Sequence, residues 1–170
     1  MRMKLFPSSM AHIIMPIMLL RSEIDTEIEL VLNEGFDLTL ADFQTMLPIA
    51  VLSTCTQKDI ALFNLVSEAS VSRKIQELIS FGLVVKKQDR HDARKVLLSL
   101  TPKGRLLVIK IQTRVIKRME LIFAQLPKET RRGVSDGLQQ MMLLMVEKSP
   151  KREALLASKN PVLQSLLGIK

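Results

Sequence analysis

A chain of 170 residues is about one domain long, and with 47% apolar residues it can bury its own core, which excludes a disordered tail. Only 6 Gly and 7 Pro favour helices over a turn-rich all-β fold, and the single cysteine, Cys55, excludes an internal disulfide and fits a reducing compartment. The net charge is +8: residues 1–55 carry 3 basic and 7 acidic side chains (−4), 56–104 carry 9 and 5 (+4), and 105–170 carry 13 and 5 (+8), which points to a polyanionic partner, nucleic acid ahead of a membrane surface.

The first apolar run, "MAHIIMPIMLL", follows basic residues as a signal peptide would, but no small-residue cleavage site succeeds it. Its period instead continues through Ile13, Ile17, Leu20, Ile24, Ile28, Val31 and Leu32 at three- and four-residue steps. That predicts an amphipathic helix over residues 12 to 33, with Pro16 near its first turn or at a kink, ended at Gly35. The run is too short to span a bilayer, and a cytoplasmic chain is expected.

Thr39-x-x-Asp42 opens a second helix through Phe43, Met46, Leu47 and Leu52, which Pro48 should bend or shorten. Thr56-x-x-Asp59 repeats the capping signal ahead of Ile60. Ser67 is the N-cap of a further helix that reaches Phe81, with Gly82 at its C-cap. Two β-prone runs, Leu83-Val84-Val85 and Val96-Leu97-Leu98, flank a charged tip. Thr101-Pro102 starts a helix to about residue 125, and Pro127 starts another that carries Leu138, Met141, Met142 and Met145. The order is four helices, two strands and two helices, with a basic tail from about residue 149.

Two short capped helices followed by a hairpin with a charged tip is the order of a winged helix-turn-helix. The second helix of such a unit can enter the major groove, whose base edges present a unique donor and acceptor pattern. The hairpin can carry cations to the adjacent backbone or minor groove. Candidate contacts on the helix are Ser67, Ala69, Ser70, Ser72, Arg73 and Lys74; on the wing they are Arg90, Asp92, Arg94 and Lys95. Val71, Ile75 and Leu78 are core positions.

The stretch "TQKDIALFNLVSEASVSRKIQELISFGLVVKKQDRHDARKVLLSLTPKG" resembles the DNA-binding core of MarR-type transcriptional regulators. Gln57, Asp59, Ile60 and Ala61 fit that family's Gln-x-Asp/Glu-Leu-Ala helix. Ser67, Val71, Ser72 and Arg73 fit its recognition helix, and Leu78, Gly82, Leu83 and Val84 lead into the wing. Asp89, Asp92 and Arg94 fit the wing signature, and Leu100, Thr101 and Gly104 the Leu-Thr-x-x-Gly that follows. "FDLTLADFQTM" is similar to the family's second-helix entry. Two departures stand out: Asn64 and Leu65 replace a common Leu-Gly, and Ala93 replaces a second wing arginine.

The resemblance, over residues 10–148, implies a mainly α fold with a small β-hairpin wing, all in one MarR-type domain. Residues 39–104 would form the winged-helix lobe, and helices at 12–38 and 105–148 would dimerise. It implies a homodimer that binds double-stranded DNA at a pseudo-palindromic operator, as a repressor released by a small-molecule effector or by oxidation of a thiol. Arg94 would reach the minor groove, braced by Asp92. No cofactor, metal or membrane is implied. The alternatives are a protein-interaction module on a winged-helix scaffold, and a redox sensor acting through Cys55.

Blander roles compete for several residues. Cys55 reads first as a small buried hydrophobe, since no cation near it in sequence would lower its pKa. Lys86 and Lys87 are either DNA contacts or edge-strand charges that block aggregation. The methionines fill the core, or line an adaptable ligand cleft. Gly133 and Gly137 either permit close approach at an interface or only weaken their helix. His12 and His91 show no metal-ligand spacing, and no catalytic constellation appears, so no enzyme is expected. The tail 149–170 is expected to dock on the helical dimer body through "VLQSLL".

Overall fold

The computed structural model describes residues 8–64, 66–89, 92, 95–149 and 164. Among them the order is α1 (Ser8–Asn33), α2 (Leu40–Leu52), α3 (Gln57–Asn64), α4 (Glu68–Ser80), β1 (Val84–Gln88), β2 (Val96–Leu100), α5 (Pro102–Phe123) and α6 (Lys128–Glu147). The fold is mainly helical with one antiparallel hairpin. The chain divides into two compact units, Met1–Leu40 and Ala41–Lys170. The tail expected to dock lies outside the described residues, Ser149 and Gln164 apart.

In the first unit, α1 is already helical at Ser8, so Pro16 lies two turns inside it rather than near its first turn. There the ring withholds a backbone donor from the carbonyl of His12. The helix closes with the Phe36 N–H donating to the Leu32 carbonyl at 2.9 Å.

In the second unit, α2 runs through Pro48 to Leu52 and is not shortened by it. A proline at 48 cannot donate to the carbonyl of Gln44, one turn back. That carbonyl accepts instead from the side-chain amide of Asn64, at 3.0 Å. Asn64 is the last residue of α3, so the bond that repairs α2 also ties the α3–α4 turn to it.

Local chemistry sets the other boundaries. At the start of α3, the Thr56 N–H and Oγ1 both donate to Asp59 Oδ2 (2.8 and 2.7 Å), and the Asp59 N–H donates to Thr56 Oγ1 at 3.2 Å. This is the reciprocal box that the Thr-x-x-Asp spacing predicts. Ser67 caps α4 by accepting from the Ser70 N–H. At the other end Gly82, at φ +69°, permits a left-handed turn. Its N–H donates to Ile79, and that of Leu83 to Leu78, each at 2.9 Å, which closes a Schellman motif.

The hairpin pairs Val84 with Leu100, Lys86 with Leu98 and Gln88 with Val96. A third segment joins it: the Cys55 N–H donates to the Leu98 carbonyl at 3.2 Å, and the Leu98 N–H to that of Cys55 at 2.8 Å. This pairing has no periodic signature, and the sequence did not announce it. Beneath it lies the core, from Phe43, Met46 and Ile49 of α2 through Ile60, Val71, Ile75, Leu78, Leu83, Leu98 and Leu100 to Val108 and Ile111 of α5. Gly104 is part of that packing, because a Cβ there would collide with the Leu83 carbonyl oxygen. The same oxygen accepts from the Thr101 N–H at 3.0 Å, and Thr101 Oγ1 donates to the Gly82 carbonyl at 2.7 Å. The Leu-Thr-x-x-Gly pattern is thus a dock of the α5 N-terminus on the end of the preceding turn.

Candidate DNA-binding surface

Helix α4 buries Val71, Ile75 and Leu78 along one stripe. The steps i, i+3, i+4 and i+7 from Ala69 place Ser72, Arg73 and Gln76 on another. Of these Ala69, Arg73 and Gln76 are exposed and Ser72 is half-buried. Gln76 is absent from the residues singled out by sequence, although its spacing from Ala69 and Arg73 was legible. Ser67 and Ser70 are spent partly on the helix start, with their hydroxyl oxygens 3.0 Å apart.

Lys74 differs from its neighbour Arg73. Its ammonium lies 3.1 Å from Asp42 Oδ1 and 2.8 Å from Glu77 Oε2, and its side chain is 30% exposed. The bond to Glu77 does most to raise the Lys74 pKa above its ordinary value; burial opposes it, and Asp42 adds to the rise. Lys74 was expected to contact DNA with Arg73; the structure engages it within its own lobe.

The wing turn is built by Asp89. Its Oδ1 accepts from the Asp92 N–H at 3.2 Å, while the Asp89 N–H donates to the Lys95 carbonyl and the Lys95 N–H to that of Asp92, each at 2.9 Å. Asp92 and Lys95 are exposed; Arg90 and Arg94 lie outside the described residues. A cleft of about 410 Å³ opens between the base of the wing and the starts of α3 and α4, lined by Lys58, Lys86, Lys95 and Glu68 together with Val96 and Leu98. The register puts Lys86 on the same hairpin face as the buried Val84 and Leu98, so the core gives way there to a cationic groove.

Cys55 is 3% exposed, and its thiol is pushed up to about 12, by burial first and the Asp59 charge second. It therefore stays protonated at neutral pH, and the thiolate that reacts with oxidants is scarce. Among the described residues, no group of three or more His, Cys, Asp or Glu is placed to hold a metal ion. None of their helices is long and apolar enough to cross a membrane.

Residues 36–95, which hold both helices of the motif and the first strand of the wing, match the sequence profile of the MarR family. Over that segment the chain is similar to the MarR family winged helix. Solved structures agree on the fold. Wild-type MarR from E. coli superposes with a TM-score of 0.67 at 18% identity, over 81% of this chain and 98% of that one. NadR in complex with 4-hydroxyphenylacetate gives 0.66 at 23%, over 83% and 96%. BpsR from Bordetella bronchiseptica, whose DNA binding is regulated by 6-hydroxynicotinic acid, gives 0.60 at 22%, over 76% and 92%. No match was found among curated proteins.

Proposed function

We propose that this chain is a sequence-specific, DNA-binding transcriptional regulator, a homodimeric repressor of the bacterial type that acts in the cytoplasm. The observation that carries the reading is the stripe of α4 formed by the exposed Ala69, Arg73 and Gln76 with the half-buried Ser72, opposite the buried Val71, Ile75 and Leu78. Arg suits the O6 and N7 of guanine, and Gln the N6 and N7 of adenine, both through the major groove. The groove of Lys58, Lys86 and Lys95 beside the first turn of α4 supplies charge for the flanking phosphates.

Dimerisation follows from α6. None of its 20 residues is fully buried, and Val134, Leu138, Leu143, Leu144 and Met145 are exposed. A helix gains most of its stability from a packed face, so this one calls for a cover, which a second copy supplies. In this reading, helices within 12–38 and 105–148 carry the interface and 39–104 carries the DNA. The effector is a small aromatic acid, the class bound by NadR and sensed by BpsR.

Selection of bound sequences from random duplexes tests this at once. A two-fold dimer should enrich a pseudo-palindrome with half-sites about 10 bp apart, centre to centre. Enrichment of a lone asymmetric half-site by a monomer, or of nothing, overturns it.

A further inference from the structure

Asp42 is the most deeply placed carboxylate of the described chain: it lies in the first turn of α2 and is 4% exposed. The other end of its ion pair, Lys74, belongs to α4, the helix whose adjacent residue Arg73 faces outward. We propose that Lys74 is a positioning residue, which with Asp42 sets the roll of the recognition helix, rather than a contact to the nucleic acid. The inference rests on the reading of α4 as the helix that enters the groove.

The argument begins with what apolar packing can and cannot fix. Val71, Ile75 and Leu78 hold α4 against the core, but their burial is non-directional and tolerates small rotations about the helix axis. The ion pair between the Lys74 ammonium and the buried Asp42 carboxylate, 3.1 Å apart, links α4 to α2 at one defined point. Glu77, on the next turn of α4, holds the same ammonium at 2.8 Å and so limits where Lys74 can go. The low exposure of the Asp42 carboxylate favours the arrangement, because an opposite charge offsets part of the cost of its burial.

Roll matters because reading is geometric. A rotation of about 10° moves a group about 6 Å from the helix axis by about 1 Å. A shift of that size takes a hydrogen bond at the edge of a base out of its narrow distance range. Contacts to phosphates, made by long and mobile cations, are far less sensitive. A positioning residue should therefore govern discrimination between sequences, and a phosphate contact should govern overall affinity and its salt dependence.

Asp42→Asn separates the two roles by sign. It removes a negative charge beside Lys74, so a Lys74 that binds phosphate would hold DNA as tightly or more tightly. As a positioning pair, Asp42→Asn should weaken binding to the selected operator by about tenfold, the scale of one lost base contact. Affinity for an unrelated duplex should stay within about twofold, and the salt slope should stay within half a unit. Lys74→Gln should weaken operator binding to the same degree, and the double variant should be no worse than either single one. Asp42→Leu with Lys74→Met removes both charges at similar volume, and serves where a single variant does not fold. It too should lose discrimination in a folded dimer. Operator binding by Asp42→Asn at or above the wild-type level overturns the proposal. So does a salt slope about one unit lower in Lys74→Gln, with equal losses on both duplexes. Failure of the DNA-binding reading looks different, since the wild-type chain would then retain no duplex even at low salt.

Discussion

The repair of α2 by Asn64 leads to a prediction that can be worked through in free energy. Pro48 leaves the Gln44 carbonyl without its helical donor, and the Asn64 amide supplies one at 3.0 Å. A neutral hydrogen bond contributes about 1 kcal/mol net, and stranding a buried carbonyl costs about 1–3 kcal/mol. Gln44 is half-buried, so water partly replaces the lost donor and the lower end applies. Asn64→Ala should therefore destabilise the chain by about 1–1.5 kcal/mol. In a Pro48→Ala background the restored N–H of residue 48 can donate to Gln44 itself. Removing Asn64 there should cost no more than about 0.5 kcal/mol. The cycle predicts a coupling energy of about 1 kcal/mol, above the few tenths within which independent sites add. Urea unfolding of the four variants measures it, at one protein concentration so that any self-association contributes equally. Additivity within about 0.3 kcal/mol would mean that Asn64 does not stand in for the missing donor.

Two further outcomes follow from other sites. Gly104→Ala improves helix propensity by about 1 kcal/mol, yet its Cβ meets the Leu83 carbonyl, which Thr101 also holds. A net loss of about 2 kcal/mol or more is expected in the same unfolding assay, and a neutral or stabilising result would show that the α5 dock can slide. For Cys55, with its folded pKa raised to about 12 from an unfolded value near 9, stability should be complete below about pH 9 and fall between pH 9 and 12 as the unfolded thiol ionises. Cys55→Ala should remove that part of the slope and leave DNA binding intact, and peroxide should not release the wild-type chain; release that depends on Cys55 would make the protein a redox sensor.

What was legible in the sequence divides by distance along the chain. The box of Thr56 and Asp59, the caps at Ser67 and Thr101 and the turn at Gly82 each join groups a few residues apart, so spacing alone disclosed them. The hairpin was legible for the same reason, as two β-prone runs around a charged tip. The bonds of Cys55 to Leu98, Asn64 to Gln44 and Lys74 to Asp42 join segments that no periodicity connects. In the sequence, Asn64 was only a departure from the family pattern, and Pro48 only a threat to its helix; the fold makes each the answer to the other. Arg73 and Lys74 pose the sharper case. As neighbouring cations on one helix they look equivalent, and burial of a carboxylate on a different helix is what separates them. Sequence pattern can therefore assign a cation to α4, but the partner that claims it decides whether it faces outward, as Arg73 does, or is held against its own lobe, as Lys74 is.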